Sequence, residues 1–167
     1  MTQVMIDLET LSTQYNATIL SIGAVKFQDQ SILDTFYVNI DPASCKQAGL
    51  HVERKTIEWW SKQNAEARKA IMKDQRSLTD ALKAFRIWYG SQSVPTWGNG
   101  AAFDLVIMTS AFRSIDTEPP WKPWEERCYR TINAIVKIPQ DERQGTYHNA
   151  LDDALHQTRH LMKILGS

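Results

Sequence analysis

Two acidic residues flank Leu8 near the beginning of the chain, in the stretch "IDLET". Because side chains alternate across a strand, Asp7 and Glu9 should point to the same side, ~6–7 Å apart along the chain. The apolar neighbours Val4 and Ile6 favour a buried strand, which would put both acids on the rim or inside of a sheet. The alternative is the exposed face of an edge strand, and this pair alone does not decide between the two.

A third acid, Asp104, follows the stretch "WGNGAAF" and opens an apolar segment with helical spacing. The glycines permit a close approach of the backbone at this point. A carboxylate in the first turn of a helix also interacts favourably with the helix dipole, so a structural role alone would account for it.

The stretch "YHNALDDALHQ", residues 147–157, places neighbouring aspartates at the beginning of a predicted helix. Asn149 is a good N-cap, and Asp152 falls three residues later, where a capping acid reaches back to the N-cap amide. Asp153 projects about 100° further round the helix, toward the side shared with Ala150, Gln157 and Leu161, which carries the small and apolar residues of the helix. A buried acid without a partner is costly, so we expect a cation beside Asp153.

The three segments share one property: each puts an acid at the end of a strand or the first turn of a helix, where ligand sites of α/β domains gather. Converging carboxylates would repel one another unless divalent cations lay between them. Ligation by oxygen alone favours Mg²⁺ or Mn²⁺ over zinc, and a pair of such ions is suited to in-line attack on phosphodiesters. His148, just before the last helix, could then take a proton from the attacking water.

Together these segments resemble the three motifs of the histidine-type DEDD 3′–5′ exonucleases, the superfamily of RNase T and of polymerase proofreading domains. "IDLET", the "FD" of "WGNGAAFDLVIM" and "HNALDDA" occur in the family's order and span positions 5–154. The H-x-A-x-x-D spacing is the most specific of them. "TIEWWSKQNAEAR" is similar to a segment of phage DexA-type exonucleases, and the "WGNG" variant is similar to a related exoribonuclease-like subfamily.

The resemblance implies a catalytic role for five residues and a cofactor of two Mg²⁺ (or Mn²⁺) ions. By it, Asp7 would bridge both ions, Glu9 and Asp153 would complete one metal site, and Asp104 would serve the other. His148 would be the general base.

The resemblance also implies contacts to the nucleic acid. Thr10 and Leu11 would contact or wedge the terminal nucleotide, and Asn99 and Phe103 are further candidate contacts. Most of the family has His-Asn four to five residues before the middle aspartate, whereas this chain has Asn99 and Gly100. The contacts usually made by that asparagine therefore do not carry over directly.

The expected activity is metal-dependent 3′–5′ exonuclease action on single-stranded or overhanging nucleic acid, with DNA favoured and nucleoside 5′-monophosphates released. One alternative is an exoribonuclease that trims RNA, which would share every catalytic residue. Another is a catalytically silent module that binds 3′ ends, but binding alone would not require all four acids and a histidine. The expected partner is a nucleic acid 3′ end, and a homodimer is left open.

Composition limits the remaining classes of protein. The formal net charge is zero, which argues against a protein that coats nucleic acid electrostatically but not against a pocket whose cations supply positive charge. No apolar run approaches the ~20 residues of a membrane span, so no membrane is expected. Cys45 and Cys128 lack the spacing of metal ligands, and the N-terminus lacks a signal-peptide pattern. We therefore expect a cytoplasmic location, which for a phage enzyme is the cytoplasm of the host.

The pattern of elements that must position these residues predicts one domain over residues 1–167. "QVMIDLE", "TILSIGAVKF" and "DTFYVNID" are typical of strands, and Thr56 to about Ala70 is predicted as one helix. "SLTDALKAFRIWYG" is predicted as a second helix, and "VPTWGNG" is predicted as a short strand before a third helix. "CYRTINAIVKI" is predicted as a short strand or helix, and residues 150–165 are predicted as the last helix. We predict an RNase H-like α/β fold with a mixed sheet of about five strands flanked by helices.

Two further histidines and three tryptophans could also serve a site, and each has a structural alternative. His156 and His160 have zinc-like spacing, but "HQTRH" lacks the glutamate of the usual motif, and solvent-side positions are expected for both. Trp60 is predicted in the core by its helical spacing. For Trp121 and Trp124, packing and stacking on a base are both left open.

Overall fold

The computed structural model describes residues 1–100 and 102–166 of the chain. In these residues three strands come first, four helices follow them, and two short strands then alternate with the last three helices. The elements are β1 (Thr2–Thr10), β2 (Ile19–Gln28), β3 (Ser31–Asn39), α1 (Pro42–Gln47), α2 (Arg54–Ser61), α3 (Ala65–Met72), α4 (Leu78–Tyr89), β4 (Thr96–Gly98), α5 (Asp104–Ser114), a 3₁₀ turn (Pro123–Glu125), β5 (Glu126–Cys128), α6 (Tyr129–Ile135) and α7 (Ala150–Gly166).

The strands form one mixed sheet in the order β3-β2-β1-β4-β5. β2 pairs antiparallel with both β1 and β3, whereas β1, β4 and β5 run parallel. The predicted α/β fold with a mixed five-stranded sheet is confirmed. β1 is a central strand, so its end lies beside the ends of β4 and β5 at one edge of the sheet.

The alternation of side chains in β1 assigns its residues to two hydrophobic cores. Val4, Ile6 and Leu8 are buried in the larger core, which also contains apolar residues of α4 and α5. Met5 is buried on the other side of the sheet with apolar residues of α7. Because odd-numbered residues of β1 share the face of Met5, the acids at positions 7 and 9 face α7.

The segment predicted as one helix from Thr56 to Ala70 is two helices, α2 and α3. The break occurs because Asn64 caps a new helix: its Oδ1 accepts a hydrogen bond from the Ala67 amide at 2.8 Å. Trp60 at the end of α2 is buried, as predicted, and its indole N–H donates to the Thr10 carbonyl at 2.9 Å. This bond ties α2 to the end of β1.

The structure gives the positions of two further tryptophans and of the elements near the end of the chain. Trp121 is buried in the larger core, whereas Trp124 is 71% exposed. "CYRTINAIVKI" contains the end of β5 and all of α6, and the short helix α1 was not predicted. Among the described residues, no helix has both the length and the apolar character needed to cross a membrane.

Candidate active site

The structure brings Asp7 and Glu9 of β1 together with Asp153 of α7. One carboxylate oxygen from each residue can be chosen so that all three lie within 4.8 Å of one another. Glu9 is only 8% exposed, and Asp7 and Asp153 are partly buried. The two β1 acids meet Asp153 because they lie on the sheet face that α7 covers.

A close approach of backbones lets α7 reach the sheet at this point. Asp7 is paired in register with Gly23 of β2. A Cβ atom on Gly23 would overlap the backbone of Ala150 and Leu151, so the first turn of α7 rests directly on β2. The small residues at positions 23 and 150 therefore determine how far Asp153 extends toward Asp7.

Asp104, the first residue of α5, lies beside the same strand end and is 3% exposed. Its Oδ1 accepts a hydrogen bond from the amide of Leu8 at 3.2 Å, and its Oδ2 accepts one from the amide of Asn99 at 3.0 Å. Gly98 makes room for it, since a Cβ there would be 3.2 Å from the Asp104 Cβ. The carboxylate thus bridges the ends of β1 and β4.

Burial raises the pKa of Asp7, Glu9 and Asp104, and repulsion between the acids raises it further at Asp7 and Glu9. Burial, followed by repulsion from Asp104, Asp153 and Glu9, raises the pKa of Asp7 well above its ordinary value, against a hydrogen bond from Gln157. Burial and then the charges of Asp153 and Asp104 raise the pKa of Glu9 to about 8. Burial raises the pKa of Asp104 to about 7. These carboxylates repel one another, and bound cations would relieve that repulsion.

The donor chemistry of the cluster fits a hard divalent cation. Its candidate ligands are carboxylate oxygens, which Mg²⁺ and Mn²⁺ prefer, and no histidine or cysteine joins the group that the described residues form. Asp7, Glu9 and Asp153 could share one ion. Asp104, whose oxygens already accept two backbone hydrogen bonds, could bind a second ion through its remaining lone pairs.

The neighbouring aspartates of "LDD" do different things. Asn149 caps α7, as predicted, because its Oδ1 accepts hydrogen bonds from the amides of Leu151 and Asp152 at 3.1 Å each. The predicted bond from Asp152 back to the Asn149 amide is wrong. That amide donates to the Thr146 carbonyl at 3.3 Å, and the Asp152 carboxylate accepts from the Thr146 amide at 2.8 Å instead. Asp152 therefore anchors the preceding loop.

His148 lies on that loop and lines a cavity of about 290 Å³ together with Asp7, Asn99 and Asp153. Its φ of 62° is left-handed, a conformation that is costly for a residue with a Cβ. The imidazole contacts the Trp59 ring edge to face, with centroids 4.8 Å apart. The histidine thus shares one cavity with two of the clustered acids.

The four predicted nucleic-acid contacts have different positions. Asn99 lines the cavity. Thr10 is buried, with its hydroxyl donating to the Ser12 carbonyl at 2.7 Å. Leu11 packs on the small core around Trp60, and Phe103 packs against the larger core.

Two residues of the site had no predicted role. Gln157 donates a 2.7 Å hydrogen bond to Asp7, and Arg143 forms an ion pair with Asp153. The inward face of α7 was a signal for Gln157, but nothing in the spacing of the polar loop identified Arg143.

The expected solvent-side position of His160 is wrong, because the residue is 2% exposed. Its Nδ1 is 2.8 Å from the Tyr129 hydroxyl and its Nε2 donates to the Ile138 carbonyl at 2.7 Å. His156 is half-buried, with its Nε2 3.3 Å from the Gln140 side-chain oxygen. The pair at positions 156 and 160 thus has structural partners.

A family model and one curated relative match most of the chain. Residues 2–165 match the model of the 3′-5′ exoribonuclease Rv2179c-like domain. The chain is 26% identical over 164 residues to an exodeoxyribonuclease of Enterobacteria phage T4, covering 80% of this chain and 72% of the relative.

Solved structures share the fold. Exonuclease X in complex with 5′ overhanging duplex DNA matches with a TM-score of 0.62 and 15% identity, over 98% of this chain and 90% of that one. Exonuclease I of E. coli in complex with a dT13 oligonucleotide matches with a TM-score of 0.68 and 11% identity, over 98% of this chain and 40% of that one. The chain belongs to the 3′-5′ exoribonuclease Rv2179c-like domain family.

Proposed function

We propose that this 3′–5′ exonuclease is metal-dependent and releases nucleoside 5′-monophosphates one at a time from a 3′ end. The observation that supports this most is the convergence of Asp7, Glu9 and Asp153 within 4.8 Å, with Asp104 beside them. Buried carboxylates at this spacing repel one another, and nothing in a purely structural role would require that arrangement.

The four acids would hold two divalent cations, Mg²⁺ or Mn²⁺. Asp7 would be shared by both ions, Glu9 and Asp153 would complete one set of ligands, and Asp104 would contribute to the other. When bound, such ions supply positive charge to the attacking and leaving oxygens of a phosphodiester. Gln157 and the backbone amides around Asp104 fix the orientation of the carboxylates in advance.

His148 would be the general base that takes a proton from the attacking water. It lines the same cavity as Asp7 and Asp153, and its loop is anchored to α7 through Asp152. Contact with Trp59 orients the imidazole. A 5′-phosphate then stays on the released nucleotide, because water attacks the phosphorus and the 3′ oxygen leaves.

We favour DNA as the substrate, single-stranded or with an overhanging end. The T4 relative is named an exodeoxyribonuclease, and exonuclease X was solved with 5′ overhanging duplex DNA. RNA is the second candidate, because the family's description is that of an exoribonuclease. A module that only binds ends is disfavoured, because binding would not require four clustered acids beside His148.

The experiment compares DNA and RNA oligonucleotides of one sequence, labelled at the 5′ end, in single-stranded and overhanging forms. We expect a ladder that shortens from the 3′ end in Mg²⁺ or Mn²⁺, with 5′-monophosphates as product and faster decay of DNA. Faster decay of RNA would select the second candidate, and internal cuts or undegraded strands would contradict the proposal.

A further inference from the structure

Arg143 is a cationic residue inside the acidic site. Its guanidinium forms an ion pair with the Asp153 carboxylate and also donates to the Thr146 carbonyl at 3.3 Å. The guanidinium lies over the Tyr147 ring, with its central carbon 4.1 Å from the ring centroid. The side chain is 17% exposed, so it belongs to the site rather than to the outer surface.

These contacts do not satisfy all the hydrogen-bond donors of the guanidinium. It has five N–H donors, and its buried Nε has no hydrogen-bond partner among the described residues. Arg143 also lines the cavity of about 290 Å³ that contains His148 and Asp7. A cation therefore lines the space in which a nucleotide would lie, and its present contacts leave one of its donors unused.

Arg143 and a divalent cation would compete for the same carboxylate. Asp153 is one of the three clustered acids, and its Oδ1 is the atom that Arg143 contacts. Burial is the largest influence on the pKa of Glu9 and raises it, whereas the charge of Arg143 acts in the opposite direction. The guanidinium thus compensates part of the charge that a metal ion would compensate.

We propose that Arg143 binds the phosphate of the terminal nucleotide, and that it pairs with Asp153 only while the metal sites are empty. The inference rests on the proposed function. A cation on Asp153 removes the charge that attracts the guanidinium, and a phosphate offers the bidentate anionic acceptor that its planar donors match. The loop has a left-handed glycine two residues further on, Gly145, with a φ of 89°.

A purely structural role for the ion pair leads to different expectations. If Arg143 served only to hold Asp153 and the loop in place, its removal would weaken metal binding. If it competes with the metal, its removal strengthens metal binding and weakens phosphate binding. The two affinities therefore discriminate between these roles.

The test uses Arg143→Gln and Arg143→Lys, with Arg159→Ala as the control that removes an exposed charge from α7. Mn²⁺ affinity is measured by calorimetry or electron paramagnetic resonance, and affinity for thymidine 5′-monophosphate is measured at saturating Mn²⁺. We expect Arg143→Gln to bind Mn²⁺ more tightly and the nucleotide ~10–100-fold more weakly, as for loss of charge-assisted hydrogen bonds. The lysine variant keeps the charge without the planar donors and should bind the nucleotide at intermediate affinity. The control should match the wild type.

Weaker Mn²⁺ binding by a folded Arg143→Gln variant, or unchanged nucleotide affinity in it, would overturn the inference. If that variant does not fold, the lysine variant decides, since wild-type nucleotide affinity in it also overturns the inference. A wild-type protein that degrades no oligonucleotide and binds no Mn²⁺ would instead remove the proposed function. If the wild type is active and metal-dependent but the Arg143 variants bind Mn²⁺ and the nucleotide as it does, only this inference is removed.

Discussion

The carbonyl carbon and oxygen of Ala150 lie only 2.2 and 2.3 Å from the position that a Cβ of Gly23 would take. Because Gly23 is paired in register with Asp7, this approach aligns the first turn of α7 with the acids of β1. Asp153 then reaches the cluster from a helix that is already in backbone contact with β2. One glycine in a strand that has no catalytic residue thereby sets the geometry of the site.

We expect Gly23→Ala to damage both stability and activity, because its methyl group must displace the backbone of α7. Overpacking of this kind costs about 1–3 kcal/mol. A shift of about 1 Å in Asp153 can reduce the rate about 10²-fold. Urea unfolding and single-turnover rates measure the two effects.

The matched control is Gly49→Ala, which adds the same methyl group with no atom within 4 Å of it. Position 49 has a φ of 80°, so the variant should lose about 1–2 kcal/mol of stability and keep its rate. Normal activity in Gly23→Ala would mean that the contact between β2 and α7 does not position Asp153.

Divalent cations should stabilise the folded protein, because they relieve repulsion that exists only in the folded cluster. At about 100 times the dissociation constant, the free energy of unfolding should rise by about 2.7 kcal/mol. Glu9→Gln should reduce this gain, and the exposed Glu66→Gln should not. Thermal unfolding with Mg²⁺ and with EDTA makes the comparison, and coincident curves for the wild type would argue against metal binding.

The metal-free protein should lose stability as the pH rises from about 4.5 to 8. The pKa of Glu9 is about 8 in the folded protein against 4.5 ordinarily, and that of Asp104 is about 7 against 3.8. In this window the folded state holds more protons than the unfolded state, so the free energy of unfolding falls with pH.

Urea unfolding in EDTA at a series of pH values measures this slope. Glu9→Gln should reduce the slope of stability against pH, because the amide does not titrate. Saturating Mg²⁺ should also reduce the slope, because bound cations remove the preference for protonated acids. A wild-type stability no more sensitive to pH than that of Glu9→Gln would contradict the raised pKa of Glu9.

The sequence predicted the parts of the site that depend on local spacing. The alternation of β1 put Asp7 and Glu9 on one face, and the helical angle between Asp152 and Asp153 directed the second inward. Those rules concern neighbours in the chain, so they hold before any tertiary contact is known.

The parts that were missed depend on where a loop folds. Asp152 accepts from the Thr146 amide rather than from the Asn149 amide, because the Asn149 amide already donates to the Thr146 carbonyl across the turn over residues 146–149. The same loop carries Arg143 to Asp153. No periodicity in a polar loop indicates such contacts.

The burial of His160 was missed for a related reason. The interpretation as a solvent-side residue considered only its spacing from His156. Its environment comes from Tyr129 of α6 and from the Ile138 carbonyl, both distant in the chain. Contacts with residues distant in the chain thus determine that His160 is on the buried side of α7.

His148→Asn should reduce the single-turnover rate by about 10²–10⁴-fold, the usual contribution of a general base. Asparagine tolerates the left-handed conformation of this position better than most residues, so the fold should be kept. Mn²⁺ affinity should stay at the wild-type value, because the imidazole is not among the clustered ligands. An undiminished rate would make His148 an ordinary loop residue.

The most direct measurement compares Asp153→Asn with Asp152→Asn in single-turnover cleavage of a 5′-labelled oligonucleotide over a range of Mn²⁺ concentrations. Both variants lose one negative charge from adjacent positions, yet only Asp153 joins Asp7 and Glu9. Asp152→Asn should lose about 0.5–1.5 kcal/mol of stability through its bond to Thr146 and keep most of its rate. Asp153→Asn should stay folded and lose nearly all of its rate and its Mn²⁺ affinity. Equal losses of rate in the two folded variants would contradict a metal-dependent site built on Asp153.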